Sequence, residues 1–289
     1  MERELRGGER RRPRLNLKPR SKKLSWVDLH LGNRLNHGTY GIISEYKDTL
    51  TNPQKTKVLN IQINPKKVIK EPIRELDVEN GCPMDFVHEL EKHELVRNLI
   101  IFCKTLSSNF CFDIPDTYSD VISDVRTRKC YYVMERLYPA NVDWKGVHTD
   151  KIGQMFFQIE DERENTSHVY DGYEYGIDGI RDIGFHMNIQ VDDIVRDMAI
   201  FCSMCYLNNI LPEDVEYVLA KRYDGQPQLF IIDFDKVQVF ETTISPEAAY
   251  QRLIAHLSYP SGGLLGDIFR DTFYGTISTQ GFTSNQRAA

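Results

Sequence analysis

The stretch Gln228-Leu229-Phe230-Ile231-Ile232-Asp233-Phe234-Asp235-Lys236-Val237 decides how the chain is read. Its apolar run, Leu229 to Ile232, predicts a short strand buried on both faces that runs directly into a pair of carboxylates. An Asp-x-Asp in that place has two readings, a capped turn or a functional site. The sequence around it bears on the choice.

Immediately upstream, Asp214-Val215-Glu216-Tyr217-Val218-Leu219 predicts a loop leading into a second strand, and Asp224-Gly225 is a hairpin turn signal between the two. Such a hairpin presents Asp214, Glu216, Asp233 and Asp235 in one neighbourhood. Val191 to Asn208 is apolar nearly all round and predicts a central buried helix, closed at Asn208-Asn209, where asparagine tolerates the left-handed cap conformation. Downstream, Ser245-Pro246-Glu247 combines an N-cap serine, a proline at the first helical position and an acid in the first turn. That helix carries through Ile254. A last amphipathic segment, Leu264 to Tyr274, is expected to pack on the body, with a frayed polar tail after Gly275.

The first half is read the same way. Leu31 to Glu45 carries Gly38 and Gly41 where a hairpin needs them, either as an ordinary turn or as backbone amides laid over an anion. Lys67-Val68-Ile69-Lys70-Glu71 predicts a short strand with Lys70 directed inward. Asp85 to Leu106 predicts a helix with Asp85 as N-cap and Glu89 one turn in, placed to pair with Lys70 or to face solvent among Glu91 and Glu94. Cys130 to Pro139 predicts a strand leaving through a linker. Residues 140–190, rich in Gly, Asp and Tyr, predict an irregular insertion with a strand or two.

At 289 residues and 41% hydrophobic content the chain can bury a sizeable core. Residues 1–23 hold ten Arg and Lys against three Glu, a net +7, so the remainder carries −13 of the total −6. The head is basic and the body acidic. With almost no large apolar residue, residues 1–23 predict a disordered tail, solvated or placed against nucleic-acid phosphates. No apolar run approaches the ~18 residues of a membrane span, and no signal core opens the chain, so a soluble cytoplasmic protein is expected. Cys82, Cys103, Cys111, Cys130, Cys202 and Cys205 are not spaced for metal, and predict reduced thiols. Cys202-x-x-Cys205, inside the apolar helix, reads as core sulfur.

Taken in order, the glycine-bearing hairpin, strand lysine, helix glutamate, linker strand, buried helix, acidic loop and Ile-Asp-Phe-Asp strand resemble the layout of protein-kinase-like folds over roughly residues 30–260. The resemblance implies an α+β, two-lobed fold: a small β-rich N-lobe over residues 24–138, a larger, mainly helical C-lobe over 139–275, and a flexible tail over 276–289. Pro212 stands where a kinase has its catalytic Asp and Tyr217 where it has the metal-binding Asn, so ordinary protein-kinase chemistry is not expected. Asp-Val-Glu-Tyr-Val-Leu followed by Ile-Ile-Asp-Phe-Asp, and the helix from Ser245 to the Tyr259-Pro260 break, are more similar to a fungal kinase-related family. That family includes the arginine-containing cyclodipeptide synthases, which join arginine from arginyl-tRNA to a second aminoacyl group from aminoacyl-tRNA and cyclise the pair to a diketopiperazine.

The resemblance implies no cofactor and no metal. Glu216 and Asp233 would contact a guanidinium or amine, supported by Asp214 and Asp235, while Lys70, Glu89, Gly38, Tyr40 and Tyr217 would border the substrate. Carboxylates suit this chemistry, since the ester is already activated and what is needed is a base for the α-amine and a negative partner for arginine. The competing expectations are an ATP-dependent small-molecule phosphotransferase and a non-catalytic kinase-like binding module.

Overall fold

The computed structural model describes residues 31–37, 41–52, 57–72, 81–124, 128–144, 147, 149–158, 173–242 and 244–287. In chain order the described elements are β1 Leu31–His37, β2 Gly41–Asn52, β3 Lys57–Pro72, α1 Met84–Leu106, β4 Phe112–Asp113, β5 Ile122–Asp124, β6 Lys129–Glu135, β7 Gly153–Met155 and β8 Tyr173–Tyr175. There follow α2 Ile177–Met187, α3 Val191–Leu207, β9 Ile210–Leu211, β10 Glu216–Lys221, β11 Pro227–Ile232, β12 Gln238–Val239, α4 Pro246–Ile254 and α5 Gly263–Arg287. The protein is a mixed α+β structure.

Period-two alternation builds the first sheet, an antiparallel array in the order β1-β2-β3-β6-β5. Along β6, Tyr131 and Val133 join Ile69 on one face, and Cys130 and Tyr132 meet Phe86 and Leu90 of α1 on the other. Helix α1 thereby covers one face of that sheet. The second sheet runs β4-β11-β10-β7-β8, with β10 and β11 paired antiparallel from Glu216↔Ile232 to Lys221↔Pro227. Its outer pairs β4/β11 and β7/β8 are parallel. Tyr138 and Lys221 exchange backbone hydrogen bonds of 2.9 Å, and Arg222 donates to Glu135 (2.9 Å) and Asp113 (2.8 Å), fastening the end of β6 to the β10–β11 hairpin.

Helix α3 is buried as its composition demands, with Ile194, Met198, Phe201, Cys202 and Cys205 fully enclosed. Asn209, just past its end, holds the left-handed conformation (φ 58°). The Ser245 side chain accepts from the Ala248 N–H at 3.1 Å, the N-cap expected of it.

Four expectations are corrected. Asp85 lies inside the first turn of α1, whose N-cap is Pro83. Residues 177–187, expected to be irregular, form α2: Ile180 and Ile183 are fully buried, and this outweighs the roughly 1 kcal/mol that each of Gly179 and Gly184 costs a helix. Gly184 is required there, because a Cβ would lie 2.6 Å from the Ile189 carbonyl oxygen. The tail expected to fray after Gly275 continues α5 to Arg287, since Phe269 and Phe273 are fully buried, Ile277 packs on the same core, and Ser203 of α3 donates to the Phe273 carbonyl at 3.0 Å. Finally, Cys82 and Cys130 are joined in a disulfide with Cα atoms 5.7 Å apart, because the entry to α1 lies directly against β6. Among the other thiols, Cys103, Cys202 and Cys205 are buried, as expected of core sulfur. The basic head, residues 1–23, lies outside the described residues.

At Gly153 in β7 an added Cβ would stand 2.1 Å from the ring of Tyr175, which is itself buried. Gly153→Ala is therefore expected to destabilise the protein by about 1 to 3 kcal/mol, read as a lower urea midpoint with the slope unchanged.

Candidate functional site

The site is built where β10 and β11 end. Alternation along β10 turns Tyr217 into the core and Glu216 away from it, and Glu216 pairs with Ile232, one residue before Asp233. Asp233 then takes a left-handed backbone (φ 60°), as does Asp214 (φ 55°) at the entry to β10. Non-glycine residues are held so only where the surroundings over-determine them, which is common at functional sites.

Those surroundings are visible. Phe234 is buried with its ring 4.8 Å from that of His93 on α1, and His93 Nε2 bonds the Pro115 carbonyl at 2.7 Å. Burial, first of all, lowers the His93 pKa to about 4, so the ring is neutral and donates to that carbonyl. Lys92 donates to the Asp235 carbonyl at 2.8 Å. Helix α1 thus grips the Asp-Phe-Asp turn at two successive residues. On the other side Arg252 of α4 makes a bidentate contact with Glu213 (2.5 and 2.7 Å) and also reaches Gln238, while the Tyr259 hydroxyl donates to the Pro212 carbonyl.

From the first sheet, Lys70 of β3 forms a nearly enclosed ion pair with Glu89 of α1. Tyr132 sits opposite Lys70 in the β3/β6 register and donates to Glu89 at 3.2 Å. Burial disfavours the Lys70 charge, but Tyr132, Glu89 and Asp233 outweigh it and raise its pKa, so the ammonium is retained. Burial also pushes Asp233 up to about 7, with Asp235, Glu216 and Glu89 adding to the rise and Lys70 opposing it. Glu216 is pushed up to about 6, again chiefly by burial, then by Asp214 and Asp235. Two carboxyls poised near neutrality beside a fixed ammonium can bind a cation when ionised and exchange a proton near neutral pH.

Of the residues singled out in the sequence, Lys70, Glu89, Glu216, Asp233, Asp235 and Asp214 are brought together. Asp214 is engaged by Lys236, with His256 Nδ1 3.6 Å from its other oxygen, so it is tied into an ion-pair network. Tyr217 is a correction: it is fully buried against Phe112 and Tyr259, on the face of β10 opposite Glu216, and does not border the site. Gly38 and Tyr40 lie outside the described residues. Sequence reasoning missed Tyr132, Lys92, His93 and Lys236. Tyr132 alone had a signal, its place opposite Lys70 once the two strands are paired. Among the described residues no group of three or more His, Cys, Asp and Glu is arranged to hold a metal ion. No protein-family model and no curated protein matches the chain.

Proposed function

We propose that the protein is an aminoacyl-tRNA-dependent cyclodipeptide synthase of two-lobed, kinase-like architecture, taking arginine from arginyl-tRNA and a second aminoacyl group from another aminoacyl-tRNA. The observation that carries this reading is the Glu216 and Asp233 pair, enclosed enough to raise both carboxyls toward neutrality yet adjacent to the Lys70 ammonium. In the ionised form a carboxylate there accepts a proton from the α-ammonium of one aminoacyl group, freeing the amine to attack the ester carbonyl of the other. The amide bond forms, the ester C–O bond breaks, and the 3′ oxygen of the tRNA leaves with a proton. Repetition of that attack within the dipeptidyl ester closes the diketopiperazine. A further carboxylate of the cluster receives the guanidinium.

One observation favours a second reading. The Lys70–Glu89 pair has the form used to hold nucleotide phosphates in a phosphotransferase. Against it, the kinase resemblance puts Pro212, which is buried, where a catalytic Asp would stand. Incubation with arginyl-tRNA and a mixture of other aminoacyl-tRNAs, read by mass spectrometry, is expected to give an arginine-containing cyclic dipeptide without ATP. No such product, together with thermal stabilisation by ATP and magnesium, would favour the phosphotransferase.

A further inference from the structure

Helix α1 meets β6 along one row of contacts, and the row begins at a covalent bond. Phe86, Glu89, Leu90 and His93 recur at helical spacing on the buried side of α1, and Cys82 continues that spacing just ahead of the first turn. Opposite them, Cys130 and Tyr132 share one face of β6. The rungs in order are the Cys82–Cys130 disulfide, the Phe86 and Tyr132 rings at 5.2 Å, and Glu89, which accepts from Tyr132 and pairs with Lys70. The disulfide therefore ties together the two elements whose separation decides whether Glu89 reaches Lys70.

The bond is also placed to open. Cys130 is enclosed, but Cys82 is only partly buried, and a Cβ added to its neighbour Gly81 would meet nothing within 4 Å, so the Cys82 sulfur is the one that an attacking thiolate reaches. The other thiols are poor competitors, since burial pushes those of Cys103, Cys111, Cys202 and Cys205 up. Once the bond is cut, little replaces it. The N-cap of α1 is Pro83, with no side-chain cap hydrogen bond, and an enclosed ion pair such as Lys70–Glu89 gains little beyond what its desolvation costs. A helix entry freed of its covalent rung exchanges that pairing for hydration at small cost.

From this we propose that the Cys82–Cys130 bond is a thiol–disulfide switch that seats α1 against β6: oxidised, it holds Glu89 on Lys70; reduced by a dithiol, it lets the first turns of α1 loosen and Glu89 withdraw. A thiolate of the dithiol attacks the Cys82 sulfur, the S–S bond breaks, and its electron pair leaves on Cys130, which takes up a proton. The second thiol of the reductant then displaces Cys82 as its thiol, and the reductant is left as its own disulfide. The switch acts on the geometry of the site and holds whichever reaction the carboxylates perform.

Hydrogen exchange read by mass spectrometry on the full chain tests it, with dithiothreitol as the reductant and glutathione disulfide as the oxidant, both without denaturant. In the reduced protein the amides of residues 84–93 are expected to exchange about tenfold faster than in the oxidised one, well before those of α3, and to slow again on reoxidation. Cys82→Ala, checked for fold by circular dichroism, should exchange like the reduced protein and ignore both reagents. Its Lys70 should also be acylated by acetic anhydride about tenfold faster than that of the oxidised wild type, because the ammonium has lost its enclosed partner. Equal exchange over residues 84–93 in both redox states would overturn the switch. So would α1 and α3 exchanging in step after reduction, which marks a bond that only stabilises the whole fold, a bond that dithiothreitol leaves intact, or a folded Cys82→Ala protein with Lys70 as protected as in the oxidised wild type.

Discussion

Glu216→Gln is expected to form the arginine-containing cyclic dipeptide at about one-hundredth of the wild-type rate or less, the usual scale of a lost general base. The wild-type rate should rise between pH 5 and pH 8, with its inflection between about 6 and 7, because the carboxyls concerned must first lose their protons. Stability runs the opposite way. Both groups hold protons more tightly in the folded state than near pH 4, where they titrate when exposed, so the folded form binds more protons and loses stability as pH climbs toward 7. Glu216→Gln and Asp233→Asn should each flatten that decline, seen as a thermal midpoint less dependent on pH. Full turnover by a folded Glu216→Gln protein, or a pH profile without that inflection, would remove the pair from the chemistry.

The largest stability effect belongs to Glu89→Leu. That substitution leaves the Lys70 ammonium enclosed without its partner and the Tyr132 hydroxyl without an acceptor. Breaking a buried pair on one side costs about 3 to 5 kcal/mol, a large share of the 5 to 15 kcal/mol that a folded chain has in total. Replacing both ends, Lys70→Met with Glu89→Leu, should restore most of that loss, because no charge is then buried alone. Denaturant titrations of the two singles and the double give the coupling directly. A Glu89→Leu protein within about 1 kcal/mol of wild type would contradict the enclosure described for this pair.

The hairpin that ends in the carboxylates was legible because every signal for it is local: a four-residue apolar run, a period of two and an Asp-Gly turn within one short window. The same period holds the evidence against Tyr217. Residues 216 and 217 point to opposite faces of a strand, so both cannot border one site. Helix α2 was obscured by Gly179 and Gly184, whose cost is offset by packing that only the folded chain supplies. Helix α5 outran its expected end for a related reason, since Ile277 finds the core made by α3. The grip of Lys92 and His93 on the Asp-Phe-Asp turn joins residues more than 140 positions apart, and no window of sequence contains both partners.

The bond between Cys82 and Cys130 bears on the unfolded chain as much as on the native one. It closes a loop spanning 48 positions of sequence, within which lie all of α1, β4 and β5. A chain so tied samples far fewer random conformations, and chain-entropy accounting puts the resulting destabilisation of the denatured ensemble at about 4 kcal/mol. When the oxidised chain refolds, Glu89, whose pairing with Lys70 shapes the site, is already tethered to the strand that carries Tyr132, and the search that brings helix and sheet together starts from a shortened distance.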